Sequence, residues 1–384
     1  MKIEAIHIHE YQKSFNLQFS SSHLTRTKPD SLIVKFDFDT GLTGLGETTP
    51  RPYVTGETLE TVVQTLRMWA SAVLFSTEVN TIGDVTRLLS KLKEMCIQRD
   101  VHNYLNALTV VDLALIDALG KQLIMSAGQL LGPKIREHIP YAVSVPFLTL
   151  EEIEALYPVF APFKIGFIKV LLGNDDTYNL EKVKLIRSLL GDEVVLQAEI
   201  NGYWTFDQAV TTLKRIEPYH ISAIEQPFSA KDENMVQLAQ LKKQTGLAII
   251  LDESVCTLSD ARRFLEADAV DMINIKIAKC GGLLLSKQIA ELAAAYDKIC
   301  HLGAHVGETA ILTNAGLHFA VTTQNIRYFE GFSFMLFQND SLAPEQARVS
   351  AENIRCSDGL GVTEEAYEQL LADSTWVDSI VSKK

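Results

Sequence analysis

Residues 247–282 read LAIILDESVCTLSDARRFLEADAVDMINIKIAKCGG and contain two short apolar runs on either side of an amphipathic stretch. The first run, LAIIL, ends at Asp252, and the second, MINI, ends just before Lys276. Between them, LSDARRFLEA has the spacing of a surface helix. A strand, a helix and a second strand in this order predict two parallel strands of one sheet, with Asp252 and Lys276 at the same edge.

The same alternation continues before this stretch. Three further apolar runs each carry an ionisable residue near the carboxyl end: FIKVLLG at 167–173, VVLQAEI at 194–200 and ISAIEQPF at 221–228. Amphipathic stretches separate the runs. Because five such units with room for more fit a closed barrel better than an open sheet, we expect an α/β fold built on a (β/α) barrel. Polar residues at the carboxyl ends of barrel strands are typical of catalysis.

The first part of the chain has a different pattern. Residues 31–46, SLIVKFDFDTGLTGLG, have the alternation of a strand, a turn and a partner strand, and residues 3–8 can supply a third strand. Residues 59–70 have a helical period, and 105–119, LNALTVVDLALIDAL, is apolar almost all round, as in a buried helix that stops at Gly120. We therefore expect a small α+β domain over about residues 1–125.

The composition limits the classes of function. The chain has 384 residues, enough for a barrel and a smaller domain, and its net charge of -13 argues against nucleic-acid and anionic-membrane partners. It has no run of about 18 apolar residues, and its first residues lack the apolar core of a signal peptide. The five cysteines are scattered without a CxxC pair, so we expect no disulfide framework and a cytoplasmic location.

Three acids end apolar runs at intervals of about one strand–helix unit: Glu199, Glu225 and Asp252. Burying a lone carboxylate is costly, and three in register would repel each other unless a cation lay between them. Hard oxygen ligands without histidine or thiolate favour Mg²⁺. A salt-bridged strand end is an equally good interpretation of any single acid, but the three together favour a metal site.

Two lysines lie in apolar runs on either side of the acids. If the acids hold strands 3 to 5, Lys169 lies on strand 2 and Lys276 on strand 6, which are opposite each other in an eight-stranded ring. A lysine beside Mg²⁺ in a closed pocket has its charged form disfavoured, so its pKa can fall and it can act as a general base. The cation would stabilise the enediolate formed when a proton leaves the carbon next to a carboxylate.

Taken together, these motifs resemble the enolase superfamily, and within it the muconate lactonizing enzyme subgroup of the mandelate racemase/muconate lactonizing enzyme family. EINGYW at 199–204 is similar to the family's D-x-N, with Glu199 in the place of aspartate, and IEQP, LDES and NIKIAKCGG match the remaining ligand and lysine motifs. The resemblance implies Mg²⁺ bound by Glu199, Glu225 and Asp252, with Lys276 as a catalytic lysine. It also implies a small-molecule carboxylate substrate and a homo-oligomer.

The resemblance refines the predicted architecture as well. It implies an N-terminal α+β capping domain, residues 1–125, whose loops close over the substrate. Residues 126–349 would form a (β/α)₇β modified TIM barrel with the metal site, and residues of about 350–384 would pack back on the cap.

Strand 2 departs from the family pattern. The subgroup ends this strand with K-x-K-x-G, and counting back from Gly173 places Lys169 at the first lysine and Leu171 at the second, which is normally the acid/base. Residues two apart on a strand face the same way, so Leu171 also faces the pocket. We therefore expect a one-base isomerase or lyase, a cycloisomerase or a dehydratase, in which Lys276 is the base and Lys169 assists electrostatically.

Two alternative functions follow from the same residues. One is a dipeptide or amino-acid-derivative epimerase or racemase in which His305 or water replaces the missing acid. Some dipeptide epimerases carry a D-x-D motif at the end of strand 8, and that motif is absent around Glu330. The other alternative is a catalytically silent homologue that keeps the metal site.

Further candidates surround the predicted centre. Asn201 and Glu253 follow the ligands closely in sequence and are candidates for orienting them. His301 falls near the predicted end of strand 7, where it can pack or replace the missing acid. Candidates for substrate contacts come from the capping loops and from the ends of strands 7 and 8: Arg26, Arg51, Tyr53, His305, Glu308 and Glu330. For the residues of the capping loops, ordinary loop polarity is an equally good interpretation.

Overall fold

A computed structural model of the protein describes residues 1–15, 19–20, 25–137, 139–160, 166–230, 235–331 and 358–382. Within these ranges, the strands before the first helix are β1 (Ile3–Tyr11), β2 (Phe19–Ser20), β3 (Thr25–Arg26), β4 (Ser31–Phe38) and β5 (Thr43–Thr48). β1, β4 and β5 form an antiparallel sheet, while β2 and β3 form a separate hairpin. The predicted strand, turn and partner strand over residues 31–46 are therefore present.

Four α-helices follow these strands in the described part of the chain: α1 (Leu59–Ala72), α2 (Ile82–Gln98), α3 (Leu105–Leu123) and α4 (Ala127–Leu131). Thr58 caps the start of α1, and its side chain accepts a hydrogen bond from the backbone N–H of Thr61. The buried face of α1 contains Val62 and Leu66, as the helical period predicts.

Helix α3 joins the cores of the cap and the barrel. Leu113 and Ile116 pack in the barrel core and Leu115 packs in the core of the cap, which explains why the predicted helix is apolar all round. A Cβ at Gly44 of β5 would lie 2.0 Å from the carbonyl oxygen of Ala114. The close approach of α3 to β5 therefore requires glycine at this position.

The predicted stop of this helix at Gly120 is wrong. α3 continues to Leu123, and Ile124 follows in a left-handed conformation with φ of 54°. Gly120 instead makes room for the C-terminal segment, because a Cβ there would lie 2.7 Å from backbone atoms of Gly359.

Eight parallel strands form the barrel in the described residues: β6 (Ala142–Val145), β7 (Phe167–Leu171), β8 (Val195–Glu199), β9 (Ile221–Glu225), β10 (Ala248–Leu251), β11 (Met272–Ile275), β12 (Ile299–Leu302) and β13 (Ile326–Phe329). They are hydrogen-bonded in sequence order. A bridge between Tyr141 and Phe329 brings the last strand next to the first and nearly closes the ring.

A helix follows each of the first seven barrel strands: α5 (Leu150–Phe160), α6 (Asp176–Leu190), α7 (Phe206–Ile216), α8 (Met235–Thr245), α9 (Leu258–Glu266), α10 (Leu283–Ala295) and α11 (Ala310–Thr322). The prediction of a (β/α)₇β barrel with an N-terminal α+β cap is confirmed by this order and by the antiparallel sheet before it.

The last described strand of the chain joins the sheet of the cap. After α12 (Glu364–Ala372), strand β14 (Ser374–Val381) runs antiparallel to β1, from Tyr11 opposite Ser374 to Ala5 opposite Val381. Residues 350–357 and 383–384 of the predicted C-terminal return lie outside the described residues. The domain boundaries at 125/126 and about 349/350 stay a prediction.

No helix in the described ranges is both long and apolar enough to cross a membrane. The predicted cytoplasmic location and homo-oligomeric state stay predictions.

Candidate active site

The barrel interior changes from apolar to polar towards the carboxyl ends of the strands. At its base Phe167 stacks on Tyr328, with ring centroids 4.0 Å apart. Further along the strands, the buried polar side chains of the interior are Ser144, Lys169, Gln197, Glu225, Asn274, His301 and Glu330. Because residues two apart on a strand share a face, this layer continues into Leu171 and Glu199 at the mouth of the barrel.

Glu199, Glu225 and Asp252 come together at this mouth. One carboxylate oxygen from each lies within 4.8 Å of those of the other two, and all three side chains are buried. The strand register explains the cluster, since Glu199 and Glu225 are paired on β8 and β9 and Asp252 directly follows β10. Three hard oxygen donors in this arrangement fit Mg²⁺, which commonly keeps further positions for water and substrate.

The charges of these acids support a cation site. Burial and repulsion from Glu225 hold the pKa of Glu199 well above its usual value. Burial also opposes ionisation of Glu225, but attraction to Lys169, a hydrogen bond with Glu199 and attraction to His301 together outweigh burial and lower the pKa of that carboxyl. Acids that cannot all ionise unaided are a suitable ligand set for a divalent cation, because the cation stabilises every carboxylate at once.

Lys169 lies among the carboxylates. Its Nζ is 3.0 Å from Glu330 Oε2, 3.4 Å from Glu225 Oε1 and 3.5 Å from Glu199 Oε2. Burial alone would lower its pKa, but attraction to these carboxylates raises the pKa well above its usual value. Lys169 is therefore a fixed cation, which can hold negative charge but cannot easily accept a proton.

Lys276 lines the cavity just beyond β11, and its Nζ donates a hydrogen bond to Asp252. Burial lowers the pKa of Lys276, but the combined attraction of Asp252, Glu253 and Glu225 outweighs burial and raises it. This direction is opposite to the lowered pKa expected from the sequence, because that expectation included a cation on the acids. A cation bound to Asp252 would compete with Lys276 for the carboxylate and reduce the attraction.

Leu171 lies on the wall opposite Lys276. The two residues line one cavity, and their strands β7 and β11 are the second and sixth of the eight-stranded ring. Leu171 is buried and has no titratable group. A substrate between these walls would have an amine on one side and a hydrocarbon side chain on the other.

Asn201 and Glu253 connect the ligands to one another and also line the cavity. The backbone N–H of Asn201 donates to Glu199 Oε1 at 2.8 Å, and its side-chain amide donates to Glu253 Oε1 at 3.1 Å. Gln226, with a left-handed φ of 41°, accepts a hydrogen bond from the backbone N–H of Asp252 at 3.1 Å. The first contact orients the carboxylate of Glu199, and the other two hold Glu253 and the backbone of Asp252 beside it.

The cap contributes Arg26, Arg51 and Tyr53 to the cavity wall. Arg26 forms an ion pair with Asp30. Arg51 is 1% exposed and donates to the carbonyl oxygen of Val306 at 2.6 Å, across the junction of cap and barrel. The structure therefore brings the three candidates of the capping loops to the same cavity as the lysines.

The two candidates that follow β12, the seventh strand of the barrel, occupy different places. His305 lines the cavity, and its Nδ1 is 3.1 Å from the carbonyl oxygen of Thr49. We assign the proton to Nδ1 on this contact, which leaves Nε2, buried and with no hydrogen-bond partner in the described residues, as an acceptor. Glu308 lies behind the wall, where Oε1 accepts a hydrogen bond from the backbone N–H of His305 at 2.6 Å.

His301 and Glu330 lie on neighbouring parts of the interior. His301 is on β12, and its Nε2 is 3.8 Å from Glu330 Oε2. Glu330 follows β13, lines the cavity and accepts a hydrogen bond from Ser144 Oγ. Lys169 also contacts Glu330, so the carboxylate of Glu330 interacts with side chains inside the barrel.

Some residues of the site were not identified from the sequence: Ser144, Gln197, Gln226, Asn274 and Lys279. Asn274 donates to Glu225 Oε1 at 2.5 Å, and Gln197 also donates to Glu225. The two-residue period that places Leu171 in the cavity could have found Gln197 and Asn274, which precede Glu199 and Lys276 by two positions. Ser144, on the short strand β6, carries no such signal.

Two family models match the chain. Residues 2–132 match the N-terminal domain of the mandelate racemase/muconate lactonizing enzyme family, and residues 149–369 match an enolase C-terminal domain-like model. Together the two matches span the cap and most of the barrel.

Curated relatives are isomerases of this superfamily. The N-succinyl-L-Arg/Lys racemase of Bacillus cereus is 26% identical over 88% of this chain and 89% of its own length. The hydrophobic dipeptide epimerase of Enterococcus faecalis is 27% identical over 85% of this chain and 89% of its own length. The chloromuconate cycloisomerase CbnB of Cupriavidus necator is 26% identical, with coverages of 85% and 86%.

Solved structures share the fold. The Bacillus cereus racemase superimposes with a TM-score of 0.86 over 100% of both chains at 23% identity. The Enterococcus faecalis epimerase, in a structure with Mg and the dipeptide L-Leu-L-Tyr, gives 0.82 over 94% of this chain and 99% of that one at 24% identity. The matches of both domain models, together with these relatives, show that the chain belongs to the mandelate racemase/muconate lactonizing enzyme family of the enolase superfamily.

Proposed function

We propose that this protein is a Mg²⁺-dependent enzyme that removes the proton next to the carboxylate of a small-molecule substrate, with Lys276 as its only base. The observation that carries the proposal is the asymmetry of the cavity. Lys276 lies on one wall and Leu171 on the opposite wall, with the three acids between them.

Glu199, Glu225 and Asp252 would hold the Mg²⁺. Asn201 orients the carboxylate of Glu199 and contacts Glu253, and Gln226 holds the backbone of Asp252. The Mg²⁺ supplies positive charge that stabilises the substrate carboxylate as negative charge develops on it. Lys169 adds a second, permanent positive charge from within the barrel.

Lys276 would take the proton at Nζ, while the electron pair of the broken C–H bond stays on the substrate. The pair can then expel a leaving group from the neighbouring carbon, as in an elimination or in the opening of a lactone. The reverse, closing direction is a cycloisomerisation. Elimination and cycloisomerisation each need one base on one face of the substrate. Lys276 on one wall, with the hydrocarbon side chain of Leu171 on the other, provides this.

An epimerase or racemase is the second candidate, because curated relatives carry these names. Inversion requires a proton donor on the face opposite Lys276, where Leu171 lies. His305 does not supply it, since it follows β12, the neighbour of β11, and so lies on the same side as Lys276. Under this candidate, water would have to deliver the second proton.

The test is exchange of the α-proton in D₂O with Mg²⁺, followed by mass spectrometry and NMR. The relatives' names direct the screen to dipeptides, N-acyl amino acids and lactone-forming dicarboxylic acids. We expect exchange that disappears in Lys276→Ala and survives in Lys169→Met. Retention of configuration supports the one-base enzyme, whereas a mixture of epimers supports the second candidate. No exchange with any substrate, in a protein that still binds Mg²⁺, would support a catalytically silent homologue.

A further inference from the structure

A serine, a histidine and an aspartate form one hydrogen-bonded chain on the outer face of the cap sheet. His7 of β1 lies between the other two. Its Nδ1 is 2.7 Å from Oγ of Ser379 on β14, and its Nε2 is 2.8 Å from Oδ2 of Asp37 on β4. The three strands are neighbours in the sheet, and none of the three residues lines the cavity of the candidate active site.

The strand pattern explains why these side chains meet. The residues on either side of His7 are isoleucines buried in the cap core, so His7 faces the other side of the sheet. Ser379 is directly opposite His7 in the antiparallel pair, and such residues share a face. Asp37 is diagonal to His7, because its partner on β1 is Ala5. Diagonal neighbours are within reach of long side chains.

The order of the contacts gives each group a role. We assign the imidazole proton to Nε2, because the carboxylate of Asp37 accepts a hydrogen bond and cannot donate one. Nδ1 is then the acceptor for the hydroxyl of Ser379, since the contact of one ring nitrogen sets the state of the other. A base so placed can take the proton when the hydroxyl attacks an electrophile. Nucleophile, base and orienting acid are recognised by these contacts on unrelated folds.

The chain is held by a cation and is open to solvent. Lys35 Nζ is 3.2 Å from Asp37 Oδ1, the carboxylate oxygen that His7 does not contact. The side chains of His7 and Asp37 are 30% and 35% exposed, and Ser379 is half-buried. A reagent can therefore approach Ser379 from solution without entering the barrel.

The surface on both sides of Ser379 is apolar. Trp376 and Val381 of β14 are each 61% exposed. Their partners on β1 are the residues two positions after and two positions before His7, so both side chains share a face with Ser379. The hydrocarbon part of a group attached to Ser379 could bury apolar surface against them, which is favourable in water.

We propose that Ser379 is an acylation site outside the barrel, activated by His7 and oriented through Asp37, and that it takes the acyl group of an activated ester of an apolar carboxylic acid. Ser379 Oγ attacks the carbonyl carbon and forms the new C–O bond, while its proton passes to His7 Nδ1. The bond from that carbon to the leaving oxygen then breaks, and the leaving group takes the proton from His7. The products are acyl-Ser379 and the free alcohol or phenol.

The experiment treats the full-length protein with p-nitrophenyl butyrate in the presence of EDTA. Release of p-nitrophenolate gives the rate, and mass spectrometry of the peptides gives the site of acylation. We expect Ser379 to be the serine that carries the butyryl group. Because a positioned general base contributes about 10²–10⁴ in rate, acylation of Ser379 should slow by about this factor in His7→Gln. Asp37→Asn, which keeps the shape of the side chain, should slow it by less.

Ser71→Ala is the matched control. Ser71 is an exposed serine of α1 whose hydroxyl donates to the backbone carbonyl oxygens of Arg67 and Met68, each at 3.2 Å. Its removal should leave the acylation of Ser379 unchanged, and Ser71 itself should stay unmodified in the wild type. The peptide map of the wild type tests the inference without any variant, so a variant that fails to fold does not decide it.

The acyl group tests the apolar surface. The butyrate ester should acylate Ser379 faster than the acetate ester, by up to about fourfold for each added methylene, the value for complete burial. Equal rates for the two esters would overturn the assignment of an apolar acyl group. Acylation spread over the exposed serines without an excess on Ser379, or an equal rate at Ser379 in wild type and His7→Gln, would overturn the site itself.

Discussion

Lys169 and Leu171 lie two residues apart on β7 and line the same cavity, but only Lys169 has a titratable group, and three carboxylates hold it in its charged form. The strand therefore presents a fixed charge and a hydrocarbon where the family pattern has two lysines. Leu171 is the residue that limits the proposed chemistry to one face of the substrate.

Leu171→Lys should add an acid/base to the opposite face. With a substrate that undergoes exchange, we expect the wild type to incorporate deuterium with retained configuration and Leu171→Lys to form both epimers. A positioned acid/base contributes about 10²–10⁴ in rate, so the gain should be measurable by chiral chromatography. Leu171→Met, which keeps the volume without a titratable group, is the control and should not invert. Inversion by the wild type at a comparable rate would contradict the one-base proposal.

Lys169→Met should make folding dependent on Mg²⁺. The substitution leaves Glu199, Glu225 and Glu330 without their common cation, and breaking a buried charge cluster costs about 3–5 kcal/mol. We expect this loss of unfolding free energy in urea titrations with EDTA. About 2.7 kcal/mol of the unfolding free energy should be regained at a Mg²⁺ concentration 100 times the dissociation constant.

Lys298→Met is the matched change at the surface, where Lys298 pairs with the exposed Asp268 at 2.7 Å. This substitution should lower the unfolding free energy by at most about 1 kcal/mol, and the loss should not depend on Mg²⁺. An equal loss for Lys169→Met with and without Mg²⁺ would mean that the metal does not bind among these carboxylates.

Much of the architecture could be predicted because it depends on local patterns. The alternation of residues 31–46 and the apolar runs of the barrel each specify an element without reference to the rest of the chain. The end of α3 could not be predicted in the same way. Gly120 has the residue type of a helix stop, but its role is set by Gly359, far away in sequence.

The residues of the candidate site fall into the same two groups, those that local patterns predict and those that depend on distant parts of the chain. Spacing alone placed Glu199, Glu225 and Asp252 at neighbouring strand ends, because parallel strands align their carboxyl ends. Contacts across the ring have no local signal. The sequence therefore could not indicate that Lys169 contacts Glu330, or that Arg51 donates to carbonyl oxygens from both cap and barrel.

Lys279→Met should weaken Mg²⁺ binding without removing a ligand or the base. Lys279 Nζ lies 2.9 Å from Asp252 Oδ1, 2.6 Å from its carbonyl oxygen and 2.8 Å from the carbonyl oxygen of Asn274, so it sets the direction of that carboxylate. Loss of such a supporting contact typically costs about 10–100-fold in metal affinity. Calorimetric titration with Mg²⁺ measures it, and saturating Mg²⁺ should restore most of kcat.

The control for this change is Lys242→Met, which removes a lysine–aspartate contact with Asp271 on the outside of the barrel. It should leave Mg²⁺ affinity unchanged. If Lys279→Met lowers kcat at saturating Mg²⁺ as strongly as Lys276→Ala, then Lys279 takes part in proton transfer rather than in positioning Asp252.

The stability of the protein should fall in mild acid because of His318. This residue of α11 is buried, and burial lowers its pKa from 6.5 to about 4, against a smaller opposite effect of a hydrogen bond to the backbone of Leu360. Between these pH values the unfolded chain binds a proton that the folded chain does not. The stabilisation is therefore present above pH 6.5 and is lost as the pH falls towards 4, by roughly 3 kcal/mol at most.

The measurement is the unfolding free energy of wild type and His318→Gln in urea at several pH values from neutral to acid. The unfolding free energy of the variant should depend less on pH over this interval. Any excess in unfolding free energy of the wild type over the variant should therefore shrink as the pH falls. His102→Gln, at an exposed histidine, should follow the wild type. Parallel curves for wild type and His318→Gln would show that His318 accepts its proton equally in the folded and unfolded states, and the acid sensitivity would then have to come from the carboxylates of the barrel.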